Sequence, residues 1–158
     1  MKIYRIFRIL RILKILRILR ILQIVLFVCF LLPYTSEACN ITVYPVQFGD
    51  YSGARLQTRG EIVVENCATT PIKIKLNAGR NSNGSFTKRN MRSNYTNSVI
   101  RYNLYLDPKH KIIWGNGFGG SKVLHAGEGR YIIYAQVPAN QLGKAGRYHD
   151  RIEIIIEW

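Results

Sequence analysis

The segment that most constrains this chain is its last, Arg151–Trp158. Ile152, Ile154, Ile156 and Trp158 stand at every second position, with Arg151, Glu153 and Glu157 between them. A period of two puts the two sets on opposite faces of a β-strand, so the segment reads as a half-buried strand with an apolar inner face. A short β-domain that stops on such a strand is expected to leave it without one neighbour. Unpaired apolar sheet margins invite pairing with another chain. The expectation is therefore a sheet completed by a strand from elsewhere, with Ile152, Ile154, Ile156 and Trp158 as candidates for one wall of the receiving groove. An ordinary place in a complete core predicts the same alternation.

Similar short runs recur upstream. Ile41–Tyr44, Glu61–Glu65, Ile72–Leu76, Ile100–Leu106 and Arg130–Val137 are rich in Ile, Val and Tyr, the residues that favour strands. Arg59-Gly60, Ala78-Gly79, Asp107-Pro108, Pro138 and the stretch Gly143–Gly146 punctuate them, and Asn81–Ser85 is polar and reads as a loop. No amphipathic helix competes. The pattern predicts an all-β chain: an antiparallel β-sandwich of about seven strands, of the immunoglobulin-like kind, with a small barrel as the alternative.

Residues 1–38 read as a leader instead. The basic tract 1–20 is built on Arg-Ile-Leu repeats and carries Lys2, Arg5, Arg8, Arg11, Lys14, Arg17 and Arg20. The apolar region 21–32 follows, then Pro33 and Ser36-Glu37-Ala38. A basic start, an apolar stretch and a small-x-small site are the parts of a secretory signal peptide. The uncharged run from Ile21 to Thr35 is shorter than the roughly 20 residues of a membrane-spanning helix. Cleavage is expected after Ala38, leaving residues 39–158 as one domain exported through the inner membrane. The length of the basic tract keeps an uncleaved anchor as the alternative. Charges three residues apart spiral round a helix instead of holding one face, which disfavours a membrane-surface helix.

The expected mature chain carries 16 Lys and Arg against 8 Asp and Glu, a net charge of +8. Such a surface attracts anionic polymers or host surfaces, although Lys73 and Lys75 merely alternate with Ile72, Ile74 and Leu76 on a solvated strand face. No nucleic-acid reading motif is present, so nucleic acid is not an expected partner. Cys39 and Cys67 are the cysteines of residues 39–158. In an exported β-domain two cysteines are expected to pair, with free thiols or an intermolecular link as alternatives.

Taken together, Cys39, Phe48-Gly49-Asp50-Tyr51, Gly60–Cys67, Leu76-Asn77-Ala78-Gly79, Arg89-Asn90-Met91, Tyr102–Asp107, Trp114-Gly115 and Gly146–Ile152 resemble the spore coat protein U domain family, which includes the archaic, Csu-type chaperone–usher pilins. Each motif alone is weak; their order over nearly the whole of residues 39–158 carries the resemblance. It implies an incomplete immunoglobulin-like sandwich with a disulfide near its first strands. It further implies completion by a donor strand in trans, with a periplasmic chaperone, an outer-membrane usher and a neighbouring pilus subunit as partners. The function implied is a secreted structural or adhesive pilus subunit that reaches the periplasm and then the cell surface. A non-polymerising surface or spore-coat protein of the same fold, or a carbohydrate-binding sandwich, is the alternative. With cleavage after Ala38, Cys39 would be the first residue. The expectation is then a subunit that accepts a strand without donating one, at the tip or terminus of a pilus.

Enzymatic constellations are thin. His110, His125 and His149 lie in unrelated turns without metal-ligand spacing, and His149-Asp150 are adjacent, so on a strand they face opposite ways. Asp150 is expected to hydrogen-bond backbone or a neighbouring side chain. Gly115–Gly120 lacks the Lys-Ser/Thr and the helix of a phosphate loop and reads as a flexible connection. No enzyme, metal or cofactor is expected. For a tip subunit, Trp114 and Phe118 are candidates for a surface-contact loop.

Overall fold

The computed structural model describes residues 14, 16–23, 25, 27, 39–67 and 71–157. The chain falls into two units, Met1–Ser36 and Glu37–Trp158. In the first, the described residues are helical and exposed, and no helix among the described residues is long and apolar enough to cross a membrane. The cleavage site expected after Ala38 lies outside the described residues, as does Trp158.

The described residues of the second unit form nine strands: β1 (Asn40–Tyr44), β2 (Leu56–Glu65), β3 (Ile72–Leu76), β4 (Arg89–Ser93), β5 (Val99–Tyr105), β6 (Leu124–Ala126), β7 (Gly129–Val137), β8 (Tyr148–His149) and β9 (Ile154–Glu157). They form a six-stranded sheet in the order β1-β2-β7-β5-β4-β8 and a three-stranded sheet in the order β6-β3-β9. Every strand pairing is antiparallel.

Nine strands stand against about seven expected; β4, β6 and β8 correspond to none of the runs read from the sequence, being short or polar and without apolar alternation. Their place is set by register against neighbours: Met91 pairs with Ile100, Arg92 with His149, and Lys73 with His125. A second difference concerns Arg59-Gly60, which reads as a turn but lies in the middle of β2. A Cβ on Gly60 would stand 2.9 Å from both the Tyr44 carbonyl oxygen and Val46 Cγ2. The glycine is there because the chain leaving β1 crosses the strand closely.

Alternation decides the core. Ile72, Ile74 and Leu76 of β3 are fully buried while Lys73 is exposed. Ile62 and Val64 of β2, with Ala135 and Val137 of β7, meet them from the larger sheet. Full burial of one such aliphatic side chain contributes about 1.5–3 kcal/mol.

Cys39, just ahead of β1, is bonded to Cys67, just beyond β2. The bridge clips the end of a ladder in which Asn40 already pairs with Glu65. Loop closure over a sequence separation of 28 residues is worth roughly 3–4 kcal/mol by chain entropy. The double variant Cys39→Ser/Cys67→Ser is expected to lose stability of that order in a urea melt of the folded domain. An unchanged midpoint would show that the bridge adds nothing beyond the ladder.

Candidate functional site

The two sheets do not close on one another along their whole length. Between the inner face of the large sheet and β9 lies an open cleft of about 1380 Å³. Its floor is apolar: Leu56 of β2, Ile133 and Val137 of β7, and Ile100, Tyr102 and Leu104 of β5. The chain that follows β1 contributes Val46, Phe48 and Tyr51, and the segment leading into β9 contributes Ile152 and Ile154. β9 is paired only with β3, and β1 only with β2. Among the described residues, each of these strands has one margin without a partner strand.

Of the groove residues expected from the sequence, Ile152 and Ile154 line this cleft. Ile156 is half-buried against the core beside it but is not part of the lining, and Trp158 lies outside the described residues. Ile155 points the other way and is 44% exposed. The floor escaped sequence reasoning because inner-face residues of β5 and β7 look the same whether another sheet or an open cleft lies above them.

One end of the cleft is shaped by the chain between β7 and β8. Pro138 has no N–H and ends the ladder between β5 and β7. Beyond it the side chain of Gln141 takes over: Arg101 N donates to its Oε1 at 2.7 Å, and its Nε2 donates to Arg101 O at 2.9 Å. The Tyr51 hydroxyl accepts from Gln141 N at 2.9 Å and donates to Pro138 O at 3.0 Å. Tyr51, which the sequence marks only as part of a motif, therefore ties the two rims of this end together.

Below the cleft sits a buried polar centre. Arg89 of β4 is fully buried. Its Nη1 donates to Asn103 Oδ1 at 2.7 Å, and its Nη2 to the carbonyls of Asn77 and Trp114 at 2.8 Å. The guanidinium carbon lies 5.5 Å from the centre of the Phe86 ring. Desolvation lowers the Arg89 pKa to about 10, against the pull of Tyr102 and Asp150, so the group stays charged at neutral pH. Nearby, the Tyr102 hydroxyl donates to Asp150 Oδ2 at 2.7 Å. Burial, reinforced by that hydrogen bond, pushes the Tyr102 phenol far above its ordinary range. Asp150 Oδ1 accepts from Asn81 N at 3.2 Å and Asn81 Nδ2 at 3.0 Å. Gly79, at φ +89°, lies so close to this carboxylate that a Cβ there would overlap it. The motifs around Leu76–Gly79, Arg89, Tyr102, Trp114 and Asp150 thus converge on one interior network, which positions β4, β5 and the segment entering β9.

That convergence corrects one expectation. Trp114 is fully buried, and its Nε1–H donates to Ile74 O at 3.0 Å. A buried indole needs both apolar surroundings and an acceptor, and this site supplies both; Trp114 is a core residue and not a surface contact. Phe118, four residues on, is 75% exposed in the glycine-rich turn. His149 is exposed, while the Asp150 carboxylate is taken up by Tyr102 and Asn81, so the two make no catalytic pair.

The sequence profile of the Spore Coat Protein U domain matches residues 27–155. The chain belongs to the Spore Coat Protein U domain family. No curated protein matches it. Among solved structures, this Spore Coat Protein U domain is similar to the CsuC–CsuE chaperone–tip adhesion subunit pre-assembly complex from archaic chaperone–usher Csu pili of Acinetobacter baumannii, with a TM-score of 0.53 and 20% identity. The match covers 77% of this chain and 40% of that one, so the chain spans well under half of the relative's length. The E. coli Hda pilus minor tip subunit, HdaB, has a TM-score of 0.46 at 18% identity, covering 73% of this chain and 80% of that one. The first likeness is one of fold and agrees with an immunoglobulin-like arrangement of the two sheets.

Proposed function

We propose that this Spore Coat Protein U domain is a secreted structural subunit of a chaperone–usher type pilus, and that its cleft receives an extended strand from another polypeptide. The observation that carries the reading is the apolar cleft flanked by β1 and β9, each with an unpartnered margin. An extended strand supplies both missing parts. Its backbone pairs with a sheet margin and its alternate side chains enter the cleft, the mode of recognition used in chaperone–pilin complexes.

Family membership supports the pilus assignment. In this reading residues 1–38 direct export and are removed after Ala38. A periplasmic chaperone occupies the cleft first, and a neighbouring subunit replaces it at the outer-membrane usher. Phe118 is the surface-contact residue that remains from the glycine-rich turn. The role is structural, with no catalytic step. Placement at a tip or terminus depends on cleavage leaving Cys39 as the first residue, and N-terminal sequencing of the exported protein tests it.

The cleft itself is tested in the periplasm. Wild-type protein is expected to co-purify with a chaperone in equal amounts. Ile154→Asp, on the cleft wall, is expected to lose that complex, whereas Ile155→Asp, on the opposite face, keeps it. Recovery of wild-type protein as a stable monomer, or equal behaviour of the two variants, would overturn the assignment.

A further inference from the structure

The rim of the cleft carries a charge pattern that says what kind of strand it takes. Between β7 and β9, within eight residues, lie Lys144, Arg147 and Arg151, all exposed and all lining the cleft. Among the described residues the ion pairs are Lys75–Glu157 and Arg130–Glu61, so none of the three cations is paired with a carboxylate. Two carboxylates lie among them in sequence: Asp150, whose oxygens accept from Tyr102 and Asn81, and Glu153, exposed beyond Arg151 but outside the lining. The remaining charged group of the lining is Asp50, on the opposite rim, and Tyr148 and His149 are the other titratable side chains that the segment entering β9 adds to the lining. The cations outnumber the carboxylates on this rim, which is therefore net cationic, while the floor between the rims is apolar.

We propose that the occupant of the cleft is an acidic strand: an extended segment whose alternate apolar side chains fill the floor and whose exposed or flanking positions carry Asp or Glu toward Lys144, Arg147 and Arg151. The inference rests on the strand-accepting reading above and adds the chemistry of the partner. Charge complementarity at an interface rim acts mainly on the rate of encounter and on the choice among partners, and salt screens it. Three exposed cations beside an apolar trough therefore select among strands of equal apolar content. The chain's own leader fits poorly. Residues 1–38 carry seven Lys and Arg against Glu37 alone, a charge of the wrong sign for this rim.

The test uses three synthetic peptides with the same alternating Val/Ile/Leu positions and with Glu, Gln or Lys at the intervening and flanking positions. Association with the exported domain is followed by stopped-flow tryptophan fluorescence at low and at 0.5 M salt, a range over which the Debye length shrinks below about 5 Å. At low salt the Glu peptide is expected to associate on the order of tenfold faster than the Lys peptide. High salt is expected to collapse the difference. The variant Lys144→Glu/Arg147→Glu/Arg151→Glu changes exposed side chains only and is expected to invert the order, with a thermal melt confirming that it is folded. Binding of all three peptides at equal rates would overturn the acidic-strand inference and leave the strand-accepting cleft in place. Binding of none would overturn the strand-accepting reading itself.

Discussion

Fusing a strand of alternating Val, Ile and Leu residues to the chain beyond Trp158, through a flexible linker long enough to reach the cleft, is expected to raise the melting temperature by more than about 15 °C. Four aliphatic side chains seated on the floor contribute roughly 6–12 kcal/mol of apolar burial. Ordering the donor removes part of this, at about 1–2 kcal/mol per backbone residue fixed, and main-chain hydrogen bonds to a free margin return part. Tethering makes the association intramolecular, so little further loss comes from bringing the strand to its site. A net gain of several kcal/mol corresponds to a large shift, because 1 kcal/mol moves the midpoint of a domain of this size by about 3–5 °C. The control is a donor with Asp at its apolar positions. Calorimetry showing the same midpoint for both fusions would mean that the cleft is not a strand site.

Arg89→Ala is expected to cost about 4 kcal/mol or more, enough to unfold the unfused domain, since small domains hold only about 5–15 kcal/mol in all. The loss comes from what is left behind: the carbonyls of Asn77 and Trp114 lose the Arg89 donor inside the protein, and Asn103 Oδ1 keeps only the Leu104 N–H. Each unsatisfied buried acceptor costs about 1–3 kcal/mol. The charge itself is not the source of stability. With its pKa lowered to about 10 by desolvation, the folded state holds the guanidinium proton less tightly than the unfolded chain does, so burial of the cation opposes folding at all pH values below that point. Raising the pH above about 10 should therefore relieve a cost instead of breaking a favourable pair, as the linkage of protonation to folding requires. Measured in the donor-fused protein, which keeps a destabilised variant folded, Arg89→Lys is expected to fall between wild type and Ala, because an ammonium cannot reproduce the planar fork. A change below 1 kcal/mol for Arg89→Ala would show that the surrounding carbonyls find other donors.

Much of this architecture is legible in the residues. Ile72–Leu76 announces its strand because Ile72, Ile74 and Leu76 are buried while the lysines between them face outward, and a similar alternation marks much of β5 and β7; β1 is legible from its strand-forming residues alone, since only Ile41 in it is even half-buried. β4 is hidden for the opposite reason. Its inward residues are Arg89, Met91 and Ser93, and a buried arginine looks like a surface charge until its three acceptors are known. Gly60 misleads in a related way: as a local signal it breaks a strand, yet here it admits a crossing chain. The cleft is half legible. Ile152 and Ile154 follow from alternation at the end of the sequence, whereas Phe48, Tyr51 and the floor depend on which strands lie opposite, and that is a property of topology. Trp114 shows the limit of reasoning from neighbours. Set beside a glycine-rich stretch it reads as a loop aromatic, but its indole is anchored 40 residues away on Ile74.

The link between Cys39 and Cys67 has a mechanical consequence. A load taken up by the start of β1, as from a strand paired along its free margin, passes through the sulfur atoms directly to Cys67 beyond the end of β2. The β1–β2 hairpin is then shielded from tension and cannot be peeled open from that side. Reduced, the same load would unzip it rung by rung, starting from Asn40 and Glu65, so the domain is expected to yield to force far more readily under reducing conditions.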